Sequence, residues 1–265
     1  MSDDQPAQIS ATDERPAPRG PRAAAVIPAA GRGVRLGPGA PKALRALGGT
    51  PMLVHAVRAM ARARDVGLVV VVAPPDAATE VRHLLDAHPP PAAPAAQGAD
   101  VVVVPGGATR QESVQRGLAA LPAGVEVVLV HDAARPLVPA DTVDAVAAAV
   151  RAGAPAVVPA VPVSDTVKEV EPRPGGAPEP VTGTPVRSRL RAVQTPQGFD
   201  RAVLAEAHAA FPREGEGATD DAGLVERLGT PVVVVPGHEE AFKVTRPLDL
   251  VLAEAVLARR RADGY

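Results

Sequence analysis

Six short apolar runs, rich in valine and free of polar alternation, recur along this chain at residues 23–27, 68–72, 101–104, 127–130, 156–158 and 232–235. A strand with one wet face alternates polar and apolar residues, whereas a strand covered on both faces has no reason to. Helix-like stretches lie between the runs, at 52–64, 79–87, 111–121, 142–152 and 248–260. Such alternation predicts an α/β architecture, a mostly parallel sheet with helices on both sides. The exception is 162–195, where prolines and glycines break any helix while 166–170 and 191–194 can extend. This segment reads as an excursion from the main sheet with 171–180 as its exposed tip. Residues 1–22 mix Asp, Pro, Ser and Gln without apolar periodicity. They are expected to form a disordered tail with no catalytic role, with one domain spanning 23–265. No internal repeat is visible.

Composition narrows the function. The chain has 265 residues, 46% of them hydrophobic, enough to bury a sizeable core. Its 28 basic and 30 acidic residues leave a formal charge of -2, so no broad cationic surface for nucleic acid is expected. No run approaches the roughly 20 apolar residues of a membrane span, and the polar start lacks the apolar centre of a signal peptide. The cytoplasm is the default location. Without cysteine there is no disulfide, thiolate catalysis or cysteine metal site. Of the 28 basic residues only Lys42, Lys168 and Lys243 are lysines. In so arginine-rich a chain these three mark places where a compact ammonium serves better than a flat guanidinium.

The first run leads directly into Pro28-Ala29-Ala30-Gly31-Arg32-Gly33-Val34-Arg35-Leu36. Small residues there let backbone N–H groups approach a polyphosphate, and Arg32 and Arg35 supply charge. An ordinary strand-to-helix turn would also account for the loop. Leu36 stands where the dinucleotide fingerprint needs a third glycine, and the Gly-Lys-Ser/Thr of a P-loop is missing, which disfavours both. Lys42, just beyond, is placed to neutralise a departing pyrophosphate or is a solvated surface lysine. Asp132 follows the run 127–130, where a carboxylate suits a hard divalent ion bridging phosphates. His131 has no partner at metal-ligand spacing and reads as structural. Arg135 suits a substrate phosphate or a backbone cap, and Ser113 reads as a helix-terminus hydroxyl. Asp220 and Asp221 form a paired carboxylate site or the start of a helix.

Read in order, Ala29-Ala30-Gly31-x-Gly33-x-Arg35 with Pro41-Lys42, Gly106-Gly107-Ala108-Thr109-Arg110-Gln111-Glu112-Ser113-Val114, His131-Asp132-Ala133-Ala134-Arg135-Pro136, Asp165-Thr166-Val167-Lys168, Thr195-Pro196-Gln197 and Phe242-Lys243-Val244-Thr245 resemble the 2-C-methyl-D-erythritol 4-phosphate cytidylyltransferase family. The resemblance runs from Ala23 to the last helical stretch. The His-Asp-Ala-Ala-Arg-Pro block is specific to this small group, whereas the first loop is shared by many nucleotidyltransferases. The resemblance implies a Rossmann-like three-layer nucleotidyltransferase fold with an extended dimerisation arm at about 162–195.

It further implies CTP and a small polyol phosphate as substrates, and magnesium or another divalent cation bound at Asp132. Ala29, Ala30 and Gly31 are implied to line the triphosphate, and Gly106, Gly107 and Ser113 the cytosine and ribose. Arg35 and Lys42 are implied to stabilise the charge of transfer. Thr166, Arg187 and Lys243 are implied to hold the acceptor phosphate, Arg187 and Thr166 reaching into a partner's site in a homodimer, with Arg135 a further candidate. Two departures matter. Ala108 stands where the family often has an acidic residue, so that contact must be backbone-only or absent, and Ala241 replaces a common asparagine two residues before Lys243. The alternatives are a cytidylyltransferase for a pentitol phosphate such as ribitol 5-phosphate, a sugar 1-phosphate nucleotidyltransferase, or a non-catalytic nucleotide-binding regulatory protein. The short chain and the His-Asp-Ala-Ala-Arg-Pro block disfavour the second, and the presence of Lys42, Asp132 and Lys243 the third.

Overall fold

The structure is a computed structural model that describes residues 23–30, 41–90, 98–211 and 220–263. The expected tail, 1–22, lies outside them. In chain order the elements are β1 (Ala23–Pro28), β2 (Ala46–Leu47), β3 (Thr50–Pro51), α1 (Met52–Ala61), β4 (Val66–Ala73), α2 (Ala78–Asp86), β5 (Asp100–Pro105), α3 (Arg110–Ala119), β6 (Val127–Val130) and α4 (Ala140–Arg151). Then follow β7 (Ala156–Pro162), β8 (Glu169–Val170), β9 (Val181–Gly183), β10 (Arg191–Val193), β11 (Gln197–Asp200), α5 (Arg201–Ala210), α6 (Asp221–Arg227), β12 (Val232–Pro236) and α7 (Pro247–Ala262).

The main sheet has the order β10-β7-β11-β6-β1-β4-β5, with β12 joined to β7. β1 pairs in parallel with β4 and β6, and β4 with β5. β10 and β11 are antiparallel, so the sheet is mostly but not wholly parallel. Helices cover both faces, each face with its own core. Ile27, Val69 and Leu129 pack with Leu53, Val57 and Met60 of α1 and with Val143 and Val146 of α4. Val26, Val70, Val72 and Val128 pack on the other face with Val114 of α3, Leu204 of α5 and Val225 of α6. The alternation of inward directions along a strand therefore divides one apolar run between two cores. At Gly117 of α3 a methyl group would lie 2.4 Å from Val26 Cγ1, so a glycine is what lets this helix approach β1 closely.

Two of the six runs depart from the expectation of burial on both faces. Val102 of β5 is 37% exposed, and Val233 and Val234 of β12 are 40% and 52% exposed. β5 ends the sheet order and β12 pairs only with β7, and a marginal strand has fewer neighbours to cover it. Composition is the same in a central and a marginal strand, so the difference is set by what packs around each strand in the fold. β11 and α5 have no counterpart among the expected strands and helices. Asp200 opens α5 by accepting hydrogen bonds from the N–H groups of Ala202 and Val203 at 2.8 and 3.2 Å.

Beyond β7 the chain leaves the sheet. β8 and β9 form a small antiparallel pair with 171–180 beyond it, and the chain returns through a turn at Arg187–Arg189 into β10 beside β7. Val167, Val170, Val181, Val186 and Val193 of this excursion are all exposed. Among the described residues no helix is long and apolar enough to cross a membrane.

Candidate active site

The chain runs outward from β1 to β4 and β5, then returns to place β6 on the other side of β1. In open α/β sheets, ligands collect at such a reversal, above the carboxyl ends of the strands. Backbone bonds build the rim. The Ala29 N–H donates to Val72 O at 2.8 Å, the Gly106 N–H to Ala73 O at 2.7 Å and the His131 N–H to Val26 O at 2.9 Å. Ala29, Ala30, Gly106, Gly107 and Asp132 thus follow the ends of three strands of one crevice. Gly31 and Arg35 lie outside the described residues. A methyl at Gly106 would come within 3.0 Å of both Ala73 O and Ser113 Oγ and 3.3 Å of Ala30 Cβ. Ala30 and the Gly106-Gly107 turn are therefore in near contact.

Ser113 is buried; its Oγ donates to Thr109 O at 2.9 Å and accepts the Gly107 N–H at 3.2 Å. It ties the glycine turn to α3, whose first turn is capped by Thr109 accepting the Glu112 N–H at 3.1 Å. The Ala108 N–H, the one backbone donor left at the position of the missing acid, already donates to Glu112 Oε2 at 2.8 Å.

Asp132 is the charged centre of the crevice. Its carboxylate accepts from Lys243 Nζ at 2.8 Å and stands 3.8 Å from Arg135 Nε. Burial opposes its ionisation, but the Lys243 ammonium, Arg110 and Arg135 outweigh burial and hold the carboxyl below its usual range. Lys243 is brought there by backbone pairing, since the Val244 N–H donates to Ala134 O at 2.8 Å and the Val244 side chain sits in a third apolar cluster with Leu47, Met52, Leu137 and Ala253. Arg135 uses its terminal nitrogens as a staple, donating to Ala241 O at 2.7 Å and Val193 O at 3.2 Å. Its buried Nε has no hydrogen-bond partner. The fully buried His131 is neutral, because burial pushes its imidazole down to about 4.

Lys42 is half-buried in a short turn, near enough to α7 that its charge helps to keep the Asp249 carboxyl low, behind the larger effect of hydrogen bonds from the Arg246 and Thr245 N–H groups. Arg187 donates to Ser164 O at 2.7 Å, and among the described residues neither Arg187 nor Thr166 forms a hydrogen bond or ion pair with Asp132 or Lys243. Among the described residues, Ala29, Ala30, Gly106, Gly107, Ser113, Asp132 and Lys243 therefore gather within one chain, and Arg187 and Thr166 are not bonded to Asp132 or Lys243. Asp220 caps α6, accepting the Gly223 N–H at 2.9 Å. The buried Asp221 pairs with Arg110 at 2.7 Å and with His208 Nε2 at 3.0 Å. Sequence reading gave Arg110 no role. Its charge reaches both Asp221 and Asp132, a convergence that needs α3, α6 and β6 in place at once.

A divalent cation can be tested against these residues. Among the described residues no group of three or more His, Cys, Asp or Glu side chains gathers for a metal. The Asp132 side chain, 16% exposed, is the carboxylate the crevice offers. That donor set fits magnesium only in its usual nucleotide-bound form, with one carboxylate from the protein and the remaining ligands from phosphate and water.

A switch-point crevice floored by small residues, with one carboxylate among cations and no cysteine anywhere, is built to hold and neutralise a polyphosphate. Together with the three-layer sheet it defines a nucleotidyltransferase. Comparison with known proteins fixes the family: the model for "IspD: 2-C-methyl-D-erythritol 4-phosphate cytidylyltransferase" matches residues 23–259, and the chain belongs to that family. It is 71% identical over 255 residues to the enzyme of that name from Streptomyces avermitilis, covering 96% of this chain and 99% of the relative. It is 73% identical over 246 residues to that of Streptomyces coelicolor, covering 92% and 88%. Among solved structures, the Thermus thermophilus 2-C-methyl-D-erythritol 4-phosphate cytidylyltransferase superposes with a TM-score of 0.65 at 41% identity, covering 88% of this chain and 97% of that one. The Anaerococcus prevotii 4-diphosphocytidyl-2C-methyl-D-erythritol synthase superposes at 0.73 and 27% identity, covering 89% and 98%.

Proposed function

We infer that the chain transfers CMP from CTP to 2-C-methyl-D-erythritol 4-phosphate, giving 4-diphosphocytidyl-2-C-methyl-D-erythritol and pyrophosphate in isoprenoid precursor synthesis. The observation that carries this reading is the ion-paired turn Asp132–Lys243–Arg135 at the switch point, within a chain matched almost end to end by the family. An acceptor phosphate oxygen attacks the α-phosphorus of CTP, the bond to the α,β-bridging oxygen breaks, and pyrophosphate leaves. No covalent enzyme intermediate is needed, so the protein's task is alignment and charge stabilisation.

In this reading the backbones of Ala29, Ala30 and Gly31 approach the triphosphate, and Gly106, Gly107 and Ser113 shape the base and ribose end. Lys42 and Arg35 stabilise charge on the leaving pyrophosphate, while Lys243 orients the acceptor phosphate. Asp132 holds magnesium, which when bound neutralises and folds the triphosphate. Arg135 acts chiefly by fixing the turn, with Nε left for the site.

The active unit is a cytoplasmic homodimer in which the arm carries Arg187 and Thr166 to the partner's crevice. Two observations support this: among the described residues neither is bonded to Asp132 or Lys243 within one chain, and five valines of the excursion face outward. An excursion that leaves five valines exposed offers apolar area to a partner. The test is pyrophosphate release from each nucleoside triphosphate against a panel of acceptor phosphates. CTP with methylerythritol phosphate is expected to dominate; dominance of ribitol 5-phosphate would transfer the acceptor assignment to a pentitol, and comparable use of UTP would refute the nucleotide assignment.

A further inference from the structure

His131 and Thr195 belong to sequence blocks that mark the family, yet neither has a role in the chemistry above. The side-chain hydrogen bonds they make are satisfied together by one arrangement of protons. His131 Nε2 lies 3.2 Å from Arg135 O, and a carbonyl can only accept, so Nε2 carries the hydrogen. In the neutral ring Nδ1 is then an acceptor, and the group beside it is Thr195 Oγ1 at 3.0 Å, which must donate its single hydrogen there. The remaining face of that hydroxyl accepts the Asp132 N–H at 3.0 Å. The chain is directional: Asp132 N–H to Thr195 Oγ1–H to His131 Nδ1, and His131 Nε2–H to Arg135 O. It begins and ends on the two ends of one turn, which is also closed by the Arg135 N–H donating to Asp132 O at 2.9 Å.

Each hydrogen in this chain has one acceptor, and both side chains are buried, Thr195 at 6% and His131 at 0% exposure. Removing the threonine hydroxyl strands two groups, the Asp132 N–H and His131 Nδ1, where little water reaches them. The Asp132 carboxyl carbon is three bonds from the nitrogen so fixed, and the same turn sets the Cα–Cβ direction from which that carboxylate extends.

We propose that His131 and Thr195 are positioning residues, which set the direction of the Asp132 carboxylate for its divalent cation through this hydrogen-bond chain. The inference rests on the reading of Asp132 given above. Residues behind a metal ligand commonly contribute about 10- to 100-fold to metal affinity.

The experiment measures Mn2+ binding to the enzyme–CTP complex by water proton relaxation, with thermal melting of each variant and the half-saturating Mg2+ concentration for turnover. Thr195→Ser keeps the hydroxyl and is expected to stay within about 3-fold of the parent, whereas Thr195→Val weakens Mn2+ binding about 10-fold or more. His131→Asn offers an oxygen near the place of Nδ1 and is expected to lose less than His131→Gln, whose amide reaches toward Arg135 O but leaves Thr195 without its acceptor. Should Thr195→Val fail to fold, His131→Gln against His131→Asn carries the same comparison. Asp132→Asn is the reference. If it weakens Mn2+ binding while folded Thr195→Val and His131→Gln bind as the parent does, the positioning role is overturned and the Asp132 reading stands. If Asp132→Asn leaves Mn2+ binding unchanged, the cation reading falls and takes this inference with it.

Discussion

The buried neutral His131 makes a quantitative demand on stability. In the unfolded chain an imidazole titrates near its ordinary 6.5, whereas burial holds that of His131 at about 4 in the fold. A depressed folded value means that the unfolded state binds the proton first. The contribution is therefore fully present above pH 6.5 and is lost as pH falls toward 4. Linkage gives a loss of about 2 kcal/mol between pH 7.5 and pH 5, with a ceiling of about 3 kcal/mol at lower pH. His55, also pushed down by burial, acts in the same window, so the comparison must isolate His131. Urea unfolding of the parent and of His131→Gln at pH 7.5, 6.5, 5.5 and 5.0 does so. The variant starts less stable, but its stability is expected to fall about 2 kcal/mol less than that of the parent over this range. Parallel pH profiles would refute the argument, and would mean that His131 is already charged or is solvated in the fold.

Three further outcomes follow from the same geometry. Lys42→Ala is expected to lower turnover about 10²- to 10³-fold with little change in acceptor KM, as for loss of one preorganised charge-stabilising donor; near-normal turnover in steady-state kinetics would return Lys42 to a surface role. Gly117→Ala forces a methyl to within 2.4 Å of Val26 Cγ1 and should cost about 1–3 kcal/mol in denaturant unfolding; an unchanged midpoint would show that α3 can shift away from β1 freely. If Arg187 acts in the partner's crevice, random exchange between Lys42→Ala and Arg187→Ala dimers restores roughly a quarter of parental sites, since about half the dimers are mixed and half their sites intact. No recovery after verified exchange excludes the shared site.

Much of the fold was legible because its signals are local. A doubly covered strand needs a run of apolar residues, and the valine-rich runs at 127–130 and 68–72 both fall in strands, Val127–Val130 and Val66–Ala73. The helix at Pro247–Ala262 follows equally from local spacing. The mixed α/β class and the family follow from such runs and from short blocks of fixed spacing. β11 escaped notice because Gln197-Gly198-Phe199-Asp200 carries no run at all; it is a strand because β6 and β7 offer it partners on either side.

The site divides in the same way. Asp132 and Lys243 were legible singly, as a carboxylate after a strand and a rare lysine. Their 2.8 Å pairing, 111 residues apart in sequence, exists because Val244 bonds to Ala134 and is buried beside Leu137. Arg135 looked from sequence like either a phosphate ligand or a cap, and folding brings Ala241 O and Val193 O to its terminal nitrogens. Thr195, Arg110 and Asp221 carry no local mark of their parts, because a hydrogen-bond chain or a buried ion pair is a property of meeting surfaces. Sequence by itself determined which segments are apolar, which are small and where charge is available. Tertiary structure decided which charges meet, since proximity across the sheet depends on strand order and helix packing, which no short stretch of chain encodes.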